Sequence, residues 1–109
     1  MSKIVCVTAC PTGIAHTYIA AEMLEVSGKA LGYDMIVETH GAIGVDHKLK
    51  SADIDEAIGV IIAADIKIDV KRFAHKVVIE TTTQEAIKDP KKLIDRLLFL
   101  LKEEEHDNS

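Results

Sequence analysis

Ile4-Val5-Cys6-Val7 is a β-branched run bounded by polar residues, and seven positions beyond it the apolar spacing changes. From there Ile14, Tyr18, Ala21, Leu24, Gly28 and Leu31 follow at intervals of four, three, three, four and three. The first pattern suits a buried strand and the second is one face of a helix. Between them lies the turn Ala9-Cys10-Pro11-Thr12-Gly13. Gly32 stands where a left-handed C-terminal helix cap is wanted.

The alternation continues outward from this unit. Met35-Ile36-Val37-Glu38-Thr39 predicts a second strand, Gly59-Val60-Ile61-Ile62-Ala63-Ala64 a third and Val77-Val78-Ile79-Glu80 a fourth. The third is apolar enough throughout to be covered on both faces. Ser51 to Ile58 reads as a short helix with Ser or Asp at its N-cap. Thr83-Gln84-Glu85-Ala86-Ile87 begins one helical turn or two, and Asp89-Pro90 starts a last helix whose stripe is Leu93, Ile94, Leu97, Leu98 and Leu101. Asp65-Ile66-Lys67-Ile68-Asp69-Val70-Lys71 alternates like a strand, but its place just after strand three favours a loop with a short helical turn.

Repeated strand–helix units imply an α/β fold of three layers. The expected sheet has four parallel strands in the order 2-1-3-4, flanked by helices in a Rossmann-like arrangement. Residues 1–102 form the domain, and the acidic stretch 103–109 is expected to be disordered. In such sheets ligands bind beyond the carboxyl ends of the strands, where the strand order reverses. That rule selects the segments beginning at Ala9 and Asp65.

Composition narrows the function classes. The chain of 109 residues and 11.9 kDa has room for one domain, with 48% hydrophobic residues and 28% charged. A net charge of −5 and a pI near 5.5 argue against nucleic acid, which requires a basic face. No run approaches the ~18 apolar residues of a membrane span. Met1-Ser2-Lys3 leads straight into a strand, so neither a signal peptide nor direct membrane insertion is expected, and a free-standing subunit is favoured over an excised domain. Cys6 and Cys10 are too close along one extended segment to form a useful disulfide, which points to a reducing, cytoplasmic location. His40, His47, His75 and His106 lack metal-ligand spacing, so no metal is expected.

The chemistry belongs to the turn after strand one. From Thr12 onward, successive backbone N–H groups can point into one concavity at the positive end of a helix, a site for an oxyanion or a thiolate. The dipole alone contributes roughly 0.3–2 kcal/mol there, up to ~1.5 pKa units on a thiol. Hydrogen bonds from Thr12, His16 or Thr17 would add to that. Cys10 is therefore the candidate nucleophile, whereas Cys6 reads as a small buried hydrophobe; the pattern alone leaves the same bland role open for Cys10. Cys10 to Gly13 is not C-x-x-C, and no G-x-x-x-x-G-K-[ST] phosphate loop is present. In a C-x-x-x-x-x-R phosphatase loop the arginine clamps the phosphoryl group, but that position is His16 here. A phosphocysteine would thus form without strong help toward water, which favours transfer over hydrolysis.

Cys10-Pro11-Thr12-Gly13-Ile14-Ala15-His16-Thr17, then Val37-Glu38-Thr39, Gly41 and Ile43-Gly44, then Ala63-Ala64-Asp65-Ile66-Lys67-Ile68-Asp69, resemble the fructose-type IIB domain of the bacterial sugar phosphotransferase system. The likeness runs from about Lys3 to about Leu97. It implies a phosphoryl relay: a phosphohistidine on a IIA domain donates to Cys10, and the group passes to a sugar held by a membrane-embedded IIC domain. The family's phosphorylated cysteine corresponds to Cys10 and its phosphate-cradling loop to Thr12, Gly13, Ile14, Ala15, His16 and Thr17. Asp65 falls in the last motif, and support of the loop through backbone hydrogen bonds suits it better than contact with a phosphoryl group that it would repel. His40 departs from the family's usual glutamine. Lys67, Lys71 and Arg72 are either part of a docking face or an ordinary solvated surface. No nucleotide or other cofactor is implied. The alternatives are a phosphatase-like or arsenate-reductase-like thiol enzyme, disfavoured by the missing arginine, and a regulatory module phosphorylated at Cys10 without sugar transfer.

Overall fold

A computed structural model describes residues 2–107. Strand β1 (Lys3–Ala9) leads into helix α1 (Ala15–Ala30), then β2 (Asp34–Gly41), the short β3 (Gly44–Asp46), α2 (Ser51–Glu56) and β4 (Ala57–Ala64). A single 3₁₀ turn (Lys71–Phe73) precedes β5 (Val78–Thr81), α3 (Thr83–Lys88) and α4 (Pro90–Asp107). The loop expected over Asp65–Lys71 is a loop ending in that turn.

The sheet order is β3-β2-β1-β4-β5, so the four expected strands are neighbours as foreseen, with β1 inside the sheet. The expectation of a four-stranded, all-parallel sheet is corrected: the sheet is mixed and has five strands. β3 runs antiparallel to β2, with Gly41 opposite Gly44 across the two-residue connection Ala42-Ile43. Nothing in Ala42-Ile43 resembles the Asn-Gly or Gly-x pairs that announce a tight hairpin, and β3 is exposed throughout, so no alternation marks it.

Two apolar cores sandwich the sheet. Ile4, Cys6, Leu24, Ile61, Ile94 and Leu97 pack beneath α1 and α4, while Val5, Val7, Leu49, Ile54, Ile62 and Phe73 pack beneath α2 and the 3₁₀ turn. Cys6 is fully buried, and that burial pushes its thiol up to about 12, which makes it the inert hydrophobe expected.

Helix α1 buries the middle of the face that apolar spacing selects, at Ala21, Leu24 and Gly28, but not its ends. Thr17, Ala20, Ala21, Leu24 and Gly28 are buried, whereas Ile14, Tyr18 and Leu31 are exposed. Its end is as expected: Gly32, at φ +90°, donates to the Lys29 carbonyl (3.0 Å) and Tyr33 N–H to that of Gly28 (2.9 Å), a Schellman cap. Gly28 is needed for a second reason, because a Cβ there would overlap the Met35 side chain on β2. Gly28→Ala is therefore expected to destabilise by about 1–3 kcal/mol through overpacking, despite alanine's better helix propensity. Urea melts would check this; a stabilised variant would mean that Met35 repacks freely.

The last helix also departs from expectation. Asp89 Oδ1 accepts the Lys92 N–H (3.2 Å) and so caps α4, as Asp89-Pro90 suggested. The helix then continues through Glu103 to Asp107, inside the stretch expected to be disordered. Glutamate propagates a helix well, so the run Lys102-Glu103-Glu104-Glu105 contains no stop signal. Residues 108 and 109 lie outside the described residues. No helix among the described residues is long and apolar enough to cross a membrane.

Candidate functional site

Cys10 leaves the carboxyl end of the central strand, where β1 lies between β2 and β4, and α1 begins five residues later. Its side chain is covered almost entirely by its own loop, at 4% exposure. Thr17 Oγ1 donates to the sulfur at 3.0 Å, and Thr12 Oγ1 lies 3.5 Å from it. The backbone N–H groups of Ile14 and Gly13 add smaller contributions, although the Gly13 N–H makes its own hydrogen bond to the Cys10 carbonyl at 3.1 Å. Burial opposes the charge on Cys10 more than any single contact favours it, yet Thr17, Thr12 and the two N–H groups together lower the thiol to about 6. At neutral pH the sulfur is a thiolate.

The start of α1 is built for this purpose at the expense of helix capping. Ile14 occupies the N-cap with no side-chain cap bond, and the first turn contains no acidic residue. Serine or aspartate would normally stand there and satisfy the first N–H groups. Here no side chain covers the positive end of the helix beside Cys10, and the Thr17 N–H donates to the Ile14 carbonyl at 2.9 Å.

Two long-range hydrogen bonds hold the loop in this shape. Buried Thr8 Oγ1 donates to the Thr17 carbonyl (3.0 Å) and ties the first turn of α1 to β1. Ala42 N–H, from the β2–β3 connection, donates to the Gly13 carbonyl (2.8 Å). Gly13 sits at φ +64°, and a Cβ on it would lie 2.5 Å from the Ala42 nitrogen. Tyr18 fits the other side of the hairpin, its hydroxyl filling the space that a Cβ on Gly41 would need.

The expected residues divide accordingly. Thr12 and Thr17 contact the sulfur and Gly13 and Ile14 lie beside it, Gly13 and Thr17 being buried. Ala15 and His16 belong to the first turn of α1 by position, but both are exposed. The His16 side chain lines a cleft of about 770 Å³ with Ile19, Asp65, Thr83 and Ile87. Asp65 is structural: its carboxylate accepts the Thr83 N–H (3.0 Å) and hydroxyl at the start of α3. Its backbone N–H donates to the Ala9 carbonyl at the base of the Cys10 loop at 3.0 Å.

A buried ion pair beside the site escaped sequence reasoning. Glu38, on β2, is 1% exposed and receives Arg72 Nη1 (2.9 Å), Arg72 Nη2, His40 Nε2 (2.7 Å) and the Leu49 N–H (2.9 Å). Burial pushes its carboxyl up, but Arg72, His40 and the Leu49 N–H outweigh that and bring it down to about 2. Glu38 is thus ionised and can only accept, so His40 Nε2 carries the proton between them. A carboxylate directly after the apolar run Met35–Val37, within the same strand, was the available signal; its partner, 34 residues away, was not.

A folded-state pKa below the ordinary carboxylate value contributes stability that is fully present above about 4.5 and is lost as pH falls through about 2. Glu38→Gln is expected to cost on the order of 3 kcal/mol at pH 7, with the gap from wild type shrinking below pH 4.5 and closing near pH 2. Denaturant midpoints across that range would check it. A gap independent of pH would show that the carboxylate charge is not what holds β2 to the 3₁₀ turn.

Comparison with known proteins gives a consistent answer. The family model described as "PTS system, Lactose/Cellobiose specific IIB subunit" matches residues 5–96. A fructose-specific EIIABC component of Bacillus subtilis is 43% identical over 96 residues, which is 88% of this chain and 15% of that protein. The chain spans only 15% and 17% of the first two curated relatives it matches. A fructose-like EIIB component 2 of Escherichia coli is 46% identical over 89 residues, 81% of this chain and 84% of that one. The crystal structure of a domain of a fructose-specific IIABC component from Borrelia burgdorferi superposes with a TM-score of 0.84 at 47% identity, covering 86% of this chain and 90% of that one. With a thiolate cradled at the carboxyl end of its central strand, the chain belongs to the IIB family of the PTS system, among its fructose-type members.

Proposed function

We propose that Cys10 accepts a phosphoryl group from a phosphohistidine on a IIA domain and passes it to a sugar held by a membrane IIC domain. The observation that carries this reading is the Cys10 sulfur at the carboxyl end of the central strand, with Thr17 Oγ1 donating to it at 3.0 Å, Thr12 Oγ1 lying 3.5 Å away and no cation among its partners. In the first step the Cys10 thiolate attacks phosphorus, the S–P bond forms and the N–P bond breaks. The phosphohistidine reacts with its second ring nitrogen protonated, so the N–P electron pair departs on a neutral imidazole. In the second step a sugar hydroxyl attacks, the O–P bond forms and the S–P bond breaks. The hydroxyl proton passes to the acceptor site or to water, and the thiolate is regenerated.

Positioning and electrostatics carry such a transfer, and the loop supplies both. The Gly13 and Ile14 N–H groups and the Thr12 and Thr17 hydroxyls stabilise the thiolate before transfer and are placed to hold the phosphoryl oxygens after it. Ala15 and His16 contribute their first-turn N–H groups. No arginine clamps the group and activates it toward water, so the phosphocysteine waits for its acceptor. Fructose or a fructose-like sugar is the proposed acceptor, on the strength of the relatives' names. The EIIABC name of one relative places A, B and C components in one protein; for this chain, IIA and IIC partners at the cytoplasmic side of the membrane follow by proposal.

The test is transfer in a reconstituted system containing a phosphorylated IIA domain, this chain and membranes bearing a fructose-type IIC domain. Sugar phosphate should appear only with all three present. Inorganic phosphate as the main product would indicate a thiol phosphatase instead. Phosphorylated Cys10 with no sugar phosphate, using membranes active with another IIB, would indicate a regulatory module.

A further inference from the structure

The cradle around Cys10 is electrically incomplete for its proposed task. Its donors are neutral, while a phosphohistidine brings about two negative charges to a chain of net charge −5. A cleft of about 610 Å³ beside the loop supplies the missing cations: Lys48, Lys67 and Lys71 line it. None of these three side chains forms an ion pair among the described residues. Arg72, in the same cleft, is already matched by Glu38, and the remaining acid, Asp69, accepts the Lys71 backbone N–H at 3.0 Å. The cleft adjoins the nucleophile. Its wall residue His40 is in register with Ala9, and Asp65, just before wall residue Ile66, bonds the Ala9 carbonyl.

Val45 and Ile66 line the same cleft, and Ile43 lies two residues from Val45 at the turn. Ile43 is 98% exposed at the tip of the β2–β3 connection, Val45 46% and Ile66 42%. The hairpin bearing Ile43 is held by the Ala42–Gly13 hydrogen bond, so the isoleucine is displayed from a fixed position next to the loop. A β-branched side chain left bare beside a reactive thiolate is unfavourable in water and useful in an interface.

We propose that Ile43, Val45 and Ile66, together with Lys48, Lys67 and Lys71, form the docking surface for the phosphoryl-donor protein, which meets it with an acidic patch flanking the phosphohistidine. The proposal rests on Cys10 being the acceptor in the relay. The three cations attract the phosphorylated donor to a chain that otherwise repels it, and the apolar edge excludes water from the phosphoryl group in transit. Once Cys10 holds the phosphoryl group, its charge offsets that of the lysines and the spent donor leaves. The same surface thus binds the donor more strongly before transfer than after.

The experiment is rapid-quench measurement of phosphoryl transfer from a phosphorylated fructose-type IIA domain to this chain at several salt concentrations. Variants are Lys67→Glu/Lys71→Glu and Ile43→Ser, with Lys92→Glu/Lys102→Glu on α4 as the charge-matched control. The lysine pair is expected to slow the second-order rate at least about ten-fold at low salt and to flatten its salt dependence. Ile43→Ser should slow it with the salt dependence retained, and the control should match wild type. Alkylation of Cys10 by iodoacetamide should keep its wild-type pH profile in all of them. Unchanged transfer in Lys67→Glu/Lys71→Glu would overturn the proposal, as would a slowing accompanied by an altered alkylation profile. Normal loading from the donor with impaired transfer onward to the membrane acceptor would also overturn it, by assigning the face to the acceptor. No loading of wild type would defeat the relay itself.

Discussion

Thr17→Val is expected to raise the Cys10 thiol by about one to two units from its value near 6. Valine keeps the shape of threonine and removes only the hydroxyl that donates to the sulfur at 3.0 Å. A hydrogen bond to a charged group contributes roughly 1.5–3 kcal/mol, which sets that range. At pH 6 iodoacetamide alkylation and phosphoryl acceptance should both fall about ten-fold, because the thiolate fraction falls. Near pH 9 the variant should equal or exceed wild type, since a thiolate of higher pKa is the stronger nucleophile. The same group links stability to pH. A thiol lowered on folding contributes stability that is fully present above its unfolded value of 9.0 and is lost as pH falls through about 6. Wild type should therefore gain stability on Cys10→Ser between these limits as pH rises. An alkylation profile for Thr17→Val that overlays wild type would show that the backbone N–H groups alone set the thiol.

Gly13→Ala should do more damage. At φ +64° any side chain is strained by about 1–2 kcal/mol, and the new Cβ would lie 2.5 Å from the Ala42 nitrogen and 2.8 Å from the Gly41 carbonyl carbon. Those neighbours are backbone, so the hairpin or the loop must move, and the Ala42–Gly13 hydrogen bond breaks with either. The expected loss is about 2–4 kcal/mol of stability with at least a hundred-fold slower phosphoryl acceptance. The two effects are separable. At low temperature, where the variant is folded by circular dichroism, the thiol should titrate well above 6 because the Gly13 and Ile14 N–H groups no longer converge on it. A folded variant with the wild-type thiol and wild-type acceptance would show that the cradle does not depend on this turn.

Most of the architecture was legible because apolar patterning reports burial directly. Ile4 to Val7 and Gly59 to Ala64 read as buried strands and are the two central strands of the sheet. Gly32 read as a helix cap and is one. The failures share a cause: polar residues placed inside by tertiary contact. Thr17 faces inward with its hydroxyl on the Cys10 sulfur, so the buried stripe of α1 passes through Thr17 and Ala20 to Ala21, Leu24 and Gly28 and leaves Ile14 and Tyr18 outside. Tyr18 is outside the core yet specified by Gly41, a contact visible only after β2 and α1 are brought together. Glu38 and Arg72 form a pair across the sheet from separate segments, and no local pattern connects them.

The site was legible in its position and in its principal residue. Cys10 stood out because a strand, a glycine-containing turn and a helix start fall together, and topology alone puts that junction at the ligand end of the sheet. The manner of lowering the thiol was only partly visible. The dipole argument supplied a modest shift, and the larger one comes from the side-chain donors Thr17 and Thr12 with the Gly13 and Ile14 N–H groups. Asp65 read as structural from its position at the strand end, but the partner of its carboxylate, Thr83, lies 18 residues away and no local pattern announced it.

Intact mass is the most direct test of the central claim. Wild type and Cys10→Ala would each be incubated with phosphoenolpyruvate, the general phosphotransferase proteins and a fructose-type IIA domain. The mechanism predicts one phosphoryl adduct on wild type and none on Cys10→Ala. An adduct on both, or no adduct on wild type with its thiol shown to be unoxidised, would contradict it.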